Sequence, residues 1–184
     1  MRVFGIDPGS DRTGYGCIDS DGTRHQLVKC GAVRAGSAPT FPDQLSIIYR
    51  ELTALLAEHR PECVAIESIF HAVNARSALK LGHARGVAML AAIEAGVTVV
   101  EYTPAEIKRA VVGYGRAEKP QVAQMVKMLL GLDTIPKPHD ATDALAVAIC
   151  HLHNGSPWAG LKSRPSGVKA AVGVKRWRDY RPAK

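Results

Sequence analysis

Arg2-Val3-Phe4-Gly5-Ile6-Asp7-Pro8-Gly9 is a β-branched and aromatic run, stopped by Pro and Gly, with an acid at its last position. Such a run is a strand feeding a turn. The pattern returns at Cys63-Val64-Ala65-Ile66-Glu67, a continuous apolar run of the kind a strand buried on both faces requires, again ending on an acid. Between these two runs, strands are predicted at Tyr15–Asp19 and Gln26–Val33, with Asp21-Gly22 as a hairpin signal. Leu45, Ile48, Leu52, Leu55 and Leu56 then recur at helical spacing from about Pro42 to Glu58.

Beyond Glu67 the Ala-, Leu- and Met-rich residues 75–95 predict a helix stopping near Gly96, and Val97–Tyr102 predicts another buried strand. Pro104 opens a helix that Gly113-Tyr114-Gly115 breaks. Lys119–Leu130 is a further helix, and two prolines in residues 134–138 make a linker to a last helix over Asp140–His153. Three strands joined by hairpins, then helix–strand–helix–strand, then helices describe an α/β fold. Its sheet is mixed, with parallel later strands and helices on both faces.

The chain has 184 residues, 46% hydrophobic and 22% charged, which suits one folded domain with a full core. No apolar run approaches the roughly 20 residues of a membrane helix, and the first residues do not have the form of a signal peptide. Cys17, Cys30, Cys63 and Cys150 form no C-x-x-C pair, and three of them lie in apolar runs, so reduced thiols and a cytoplasmic location are expected. The charge is unevenly divided. Residues 156–184 carry eight basic residues against Asp179 alone, which equals the net charge of +7 of the whole chain. Residues 1–155 are therefore neutral. We expect a folded domain over 1–155 and a flexible basic tail over 156–184. A cationic tail on a neutral body points to an anionic partner, most simply nucleic acid, or to a solubilising end.

Four acids stand where this architecture can gather them. Asp7 and Glu67 end two strands which, if adjacent, project both side chains from one sheet edge. Asp140 and Asp143, three apart, share a face at the start of the last helix, where the dipole tolerates negative charge. Crowded carboxylates raise one another's pKa unless a cation intervenes, and an all-oxygen set suits hard divalent ions. Two such ions about 4 Å apart support phosphodiester hydrolysis without a His or Ser nucleophile. Three of the acids also have an ordinary reading, Asp7 as a turn aspartate and Asp140 and Asp143 as an N-cap and a first-turn acid, whereas Glu67 after a buried strand is less ordinary.

Val3-Phe4-Gly5-Ile6-Asp7-Pro8-Gly9, Ala65-Ile66-Glu67 with Phe70, Val111-Val112-Gly113-Tyr114-Gly115-Arg116-Ala117-Glu118-Lys119, and Asp140-Ala141-Thr142-Asp143-Ala144-Leu145-Ala146 together resemble the RuvC crossover junction endodeoxyribonucleases. The resemblance runs in order through residues 1–155. It implies an RNase H-like fold with a five-stranded mixed sheet, and a homodimer that resolves Holliday junctions by paired symmetric nicks in recombination and DNA repair. It also implies Mg²⁺ as cofactor, with Mn²⁺ able to substitute and two ions per site, and work beside the RuvA–RuvB branch-migration complex, in the cytoplasm at the nucleoid. By position Asp7, Glu67, Asp140 and Asp143 are the implied catalytic metal ligands. Some members carry His where Asp140 stands, and His139 precedes it here as the other candidate.

Phe70, three residues after Glu67, is the candidate to stack on an unpaired base; as an ordinary Phe it would sit in the core. Lys108, Arg116 and Lys119, with Arg109, are candidates to hold phosphates, and Arg76, Lys80 and Arg85 are weaker ones; all would otherwise be solvated helix faces. The helix over 75–95 is the candidate dimer interface, since an isologous dimer supplies the two-fold symmetry that paired nicks need. His151 and His153, at the end of the last helix, read as structural.

Other readings include a nuclease acting on RNA or RNA–DNA hybrids, a junction-binding protein without catalysis, and an actin-like phosphotransferase. The Phe70 and Gly113–Lys119 segments disfavour the first, the four acids disfavour the second, and 184 residues leave no room for the third's second half. Deleting residues 156–184 should flatten the salt dependence of DNA binding, by about 0.9 in log–log slope for each phosphate that the tail neutralises. Filter binding over a salt series measures this, and an unchanged slope would remove the tail from the DNA.

Overall fold

The computed structural model describes residues 1–68 and 74–154. Five strands, β1 (Arg2–Asp7), β2 (Arg12–Ser20), β3 (His25–Arg34), β4 (Cys63–Glu67) and β5 (Thr98–Tyr102), form one sheet in the order β3-β2-β1-β4-β5. The hairpin-linked pairs β1–β2 and β2–β3 are antiparallel, while β1–β4 and β4–β5 are parallel. This is the mixed sheet the sequence predicts. The helices are α1 (Phe41–His59), α2 (Ala75–Glu94), α3 (Pro104–Val112), α4 (Lys119–Leu129) and α5 (His139–Asn154).

The period of two along β1 divides the core. Phe4 and Ile6 point to one face, where they join Val64 and Ile66 of β4 and meet Ile48, Leu52 and Leu56 of α1 and Ala84, Ala88 and Ala91 of α2. Val3 points to the other, where it joins Ile18 and Ala65 under Ile107 and Val111 of α3, Val122 and Val126 of α4, and Leu145 and Ile149 of α5. Phe4, Ile6, Leu145 and Ile149 are fully buried, each contributing about 1.5–3 kcal/mol of apolar transfer. Asp7 and Glu67 have the parity of Val3 and Ala65, so both face the α3–α5 layer.

Helix starts follow local chemistry. Thr40 caps α1 by accepting from the Asp43 amide, and Asn74 caps α2 at the Ser77 amide. Thr103 and Glu106 form a reciprocal capping box on α3, and Gly113, at φ 94°, ends that helix in the left-handed region.

One expectation is corrected. β5 is not buried on both faces: Thr98 and Glu101 are exposed and Val99, Val100 and Tyr102 only half-buried, because β5 is an edge strand. An apolar run of this length does not distinguish a central strand from an edge. The strands β2 and β3 also extend beyond the predicted limits, since their pairing continues to Arg12↔Arg34 at one end and Ser20↔His25 at the other.

α5 lies almost on the sheet backbone. A Cβ added at Gly5 would fall within 3.0 Å of the Ala144 carbonyl oxygen and the Ala148 amide. One at Gly14 would strike the Asp140 carbonyl, and one at Gly16 the Leu145 side chain. Because Gly5 pairs with Gly16, and Gly14 with Asp7, the absent side chains make one trough across β1 and β2. Gly14→Ala should destabilise the protein by about 3 kcal/mol, because the obstructing atoms are backbone and α5 must lift. Urea unfolding would show it; a midpoint equal to wild type would mean the trough does not set the helix position.

Candidate active site

Register builds the centre of the site. Ile6 pairs with Ile66, so the next positions, Asp7 and Glu67, lie side by side on strands about 4.8 Å apart. Their carboxyl groups are within hydrogen-bonding reach of each other. Behind Asp7 the chain turns through Pro8-Gly9 and is tied back by the buried Thr13 hydroxyl, which donates to the Gly9 carbonyl at 2.8 Å. Asp143 arrives from the first turns of α5, which the glycine trough holds over β1. Its charge acts on both Asp7 and Glu67.

Burial is the main cause of the resulting electrostatics. It pushes the Asp7 carboxyl up to about 8, with the Glu67 charge adding to the rise and Lys119 opposing it. Burial likewise raises Glu67, against the stabilising hydrogen bond from Asp7. Near neutral pH the pair holds one proton between them, as adjacent carboxylates do when both cannot ionise. Lys119, at the start of α4, reaches across to Asp143, with Nζ 2.8 Å from Oδ2. This ammonium is 80% exposed and holds its proton more tightly because of that contact. Such an exposed pair contributes little stability, about 0–1 kcal/mol, and is readily exchanged. Lys108 of α3 completes a cleft shared by Glu67, Ile107, Lys119, Val122 and Asp143.

The predicted site residues are thus distributed unevenly. Asp7 and Glu67 meet, and Asp143 stands near enough for its charge to act on both, with Lys108 and Lys119 beside them. Asp140 starts α5 half-buried, its carbonyl over Gly14, whereas Asp143 is the acid of that helix whose charge raises both Asp7 and Glu67. His139 is exposed at the first position of the same helix. Arg116 and Arg76 are exposed and make no ion pair among the described residues. Lys80 instead lies over the Phe41 ring, 5.3 Å from its centroid, and Arg85 is paired with Glu101 through Nε at 2.7 Å. Phe70 and the tail from 156 lie outside the described residues. His151 is structural, as its position at the end of the helix predicted. It is buried, burial lowers its pKa, and its Nδ1 sits 2.9 Å from the Tyr102 hydroxyl.

Sequence reasoning missed Gly14 and Gly16, whose role was visible only as a Gly-x-Gly alternation inside a strand, a cue for close backbone approach.

Among the described residues no three side chains already converge as a finished ligand cage. The donor chemistry nevertheless suits a hard divalent cation. Two desolvated carboxylates retain a shared proton for want of positive charge, and a third stands opposite, held by an exchangeable lysine.

A family model described as crossover junction endodeoxyribonuclease RuvC matches residues 3–151. Proteins of that description from Koribacter versatilis and Trichlorobacter lovleyi are 54% identical over 157 residues and 48% identical over 182. The alignments cover 85% and 99% of this chain and 95% and 100% of those proteins. Among solved structures, Thermus thermophilus RuvC in complex with a Holliday junction substrate superposes with a TM-score of 0.81 at 36% identity. That match spans 85% of this chain and 95% of the other. A yeast mitochondrial Holliday junction resolvase, 12% identical with a TM-score of 0.58, shares the fold.

The raised Asp7 pKa makes stability depend on pH. A carboxyl at about 8 in the folded protein and about 3.9 unfolded keeps the folded state more protonated between those values, so stability falls as pH rises through that window. Above pH 6.5 His25 and His151, whose pKa values burial lowers, no longer contribute an opposing trend. In EDTA, wild type should lose on the order of 1–2 kcal/mol between about pH 6.5 and 8, and Asp7→Asn should lose almost none. Urea unfolding at each pH measures this. Parallel slopes would place the titrating group elsewhere.

Proposed function

The chain belongs to the RuvC family of crossover junction endodeoxyribonucleases, and from that premise we propose how its residues carry the activity. It is a metal-dependent endonuclease that resolves Holliday junctions in recombination and DNA repair. The observation that carries the assignment of the site is the juxtaposition of Asp7 and Glu67 in one register, facing Asp143 across a cleft walled by Lys108 and Lys119.

Asp7, Glu67 and Asp143 hold divalent cations in this reading, with Asp140 as the fourth acid on the same helix, three residues before Asp143. The ion is Mg²⁺, with Mn²⁺ as its substitute, two per site, since hard oxygen donors select such ions. Bound there, the cations supply Lewis acidity to the scissile phosphodiester. The protein does the positioning. The proton shared by Asp7 and Glu67 leaves as positive charge enters, and Lys119 exchanges Asp143 for a phosphate oxygen. Lys108 and Arg116 hold neighbouring phosphates, whereas Lys80 and Arg76 extend the contact along α2. Phe70 stacks on a base opened at the crossover. Phosphate contacts of this kind fix register on the DNA.

A homodimer supplies two such sites. α2 supports this reading, because Leu79, Leu90 and Ile93 are 65%, 50% and 60% exposed and an apolar groove runs past Leu45, Gly82, Gly86 and Val87. A second copy covering that stripe would be isologous, which is the symmetry of two paired nicks. Cooperation with the RuvA–RuvB motor and a cytoplasmic, nucleoid-associated location complete the reading. Among the described residues no helix is long and apolar enough to cross a membrane.

Cleavage of a synthetic four-way junction, beside linear duplex and RNA–DNA hybrid, tests it in Mg²⁺, Mn²⁺ and EDTA. Wild type should make paired nicks in the junction alone, and EDTA should abolish them. Asp7→Asn should bind the junction near wild-type affinity and lose cleavage by about 100-fold or more. Leu90→Glu should nick one strand without its pair. Cleavage by Asp7→Asn at the wild-type rate would remove the assigned site, and paired nicks from Leu90→Glu would remove α2 from the interface.

A further inference from the structure

Far from the carboxylates, at the opposite end of the sheet, two imidazoles face each other. His25 begins β3 just after the hairpin turn, and His153 lies in the last turn of α5; their ring centroids are 5.3 Å apart and the planes inclined by 40°. Nothing in the nuclease reading uses them.

The Nδ1 nitrogen of each ring is already held. His153 Nδ1 lies 2.9 Å from the Ala110 carbonyl oxygen. A carbonyl only accepts, so Nδ1 carries the proton and neutral His153 presents its lone pair on Nε2. His25 Nδ1 lies 3.0 Å from the Ser20 hydroxyl, which itself accepts from the Gly22 amide. This arrangement, one nitrogen tied to a carbonyl or hydroxyl and the other left for a ligand, is how metal-binding histidines are oriented by their surroundings. Burial keeps His25 below its ordinary pKa, in the neutral form that ligation needs.

The separation of the ring centres matches that of two imidazoles bridged by one ion. With metal–nitrogen bonds of about 2.0–2.1 Å, an ion stands about 3.2 Å from each ring centre, and a tetrahedral angle then separates the centres by about 5.2 Å. Asp21 is the acid whose charge is felt at His25, but its Oδ1 is committed to the Thr23 and Arg24 amides and the Thr23 hydroxyl. Among the described residues no third ligating side chain joins the pair, so water completes the coordination and the affinity is moderate. We propose that His25 and His153 form a second cation site, selective for an imidazole-seeking divalent ion such as Zn²⁺ over Mg²⁺. It clasps the β2–β3 hairpin to the end of α5.

Hard Mg²⁺ has little preference for nitrogen, whereas Zn²⁺ takes imidazole readily, so the two sites can be separated. The test is calorimetric titration of Zn²⁺ into untagged full-length protein, in excess Mg²⁺ to occupy the carboxylates. One Zn²⁺ per chain should bind, and His25→Gln and His153→Gln should each weaken that event by at least about tenfold. Because a variant can fail for want of folding, the wild-type imidazole proton signals are followed as well. Those of His25 and His153 should shift together at stoichiometric Zn²⁺. Unmoved signals for either ring, or wild-type affinity in a folded variant, would overturn the site.

Discussion

The close contact of α5 with the β1–β2 backbone is the constraint on which the rest of this molecule depends. Three glycines, at 5, 14 and 16, remove the side chains that would otherwise hold the helix off the sheet. The helix then settles with the Ala144 carbonyl over Gly5 and the Asp140 carbonyl over Gly14. That seat aims Asp143 at Asp7 and Glu67. It also carries the other end of α5 down to the hairpin, where His153 meets His25. One packing event thus brings two groups of polar side chains together at opposite ends of one helix.

The cost of the carboxylate cluster is visible in its protonation. Burial and mutual repulsion hold a proton on the Asp7–Glu67 pair, and a lysine from a separate helix balances Asp143. The stability of the surrounding core makes this arrangement tolerable. Phe4, Ile6, Val64 and Ile66 pack the reverse face of the same two strands, so the acids sit at the ends of the best-buried segments of the sheet. A rigid scaffold with strained electrostatics at its edge is suited to binding a cation and an anionic backbone together.

Much of this was legible in the residues. The strand end at Glu67 could be read because an acid after four apolar residues is rare unless something needs it there, whereas Asp7 before Pro-Gly reads alone as a turn aspartate and gains meaning only from the company of the other acids; parity then puts both on one face once the strands are adjacent. Lys108 and Lys119 were readable as cations flanking a helix break, though not as walls of the carboxylate cleft. The edge position of β5 was not readable, since Val99 and Val100 look the same in a central strand as beside solvent. Nor was the different situation of Asp140 and Asp143, which helical spacing treats as equivalent.

By itself the sequence determined the order and type of the elements, the concentration of the net charge in residues 156–184, and the family, because these rest on composition, local periodicity and motifs a few residues long. Only the tertiary structure decided which acids share a proton, which lysine answers them, and that two histidines 128 positions apart face each other. Those facts depend on how closely one helix approaches the sheet. That distance is set by the absence of side chains at Gly5, Gly14 and Gly16, and it exists only once strand and helix have met.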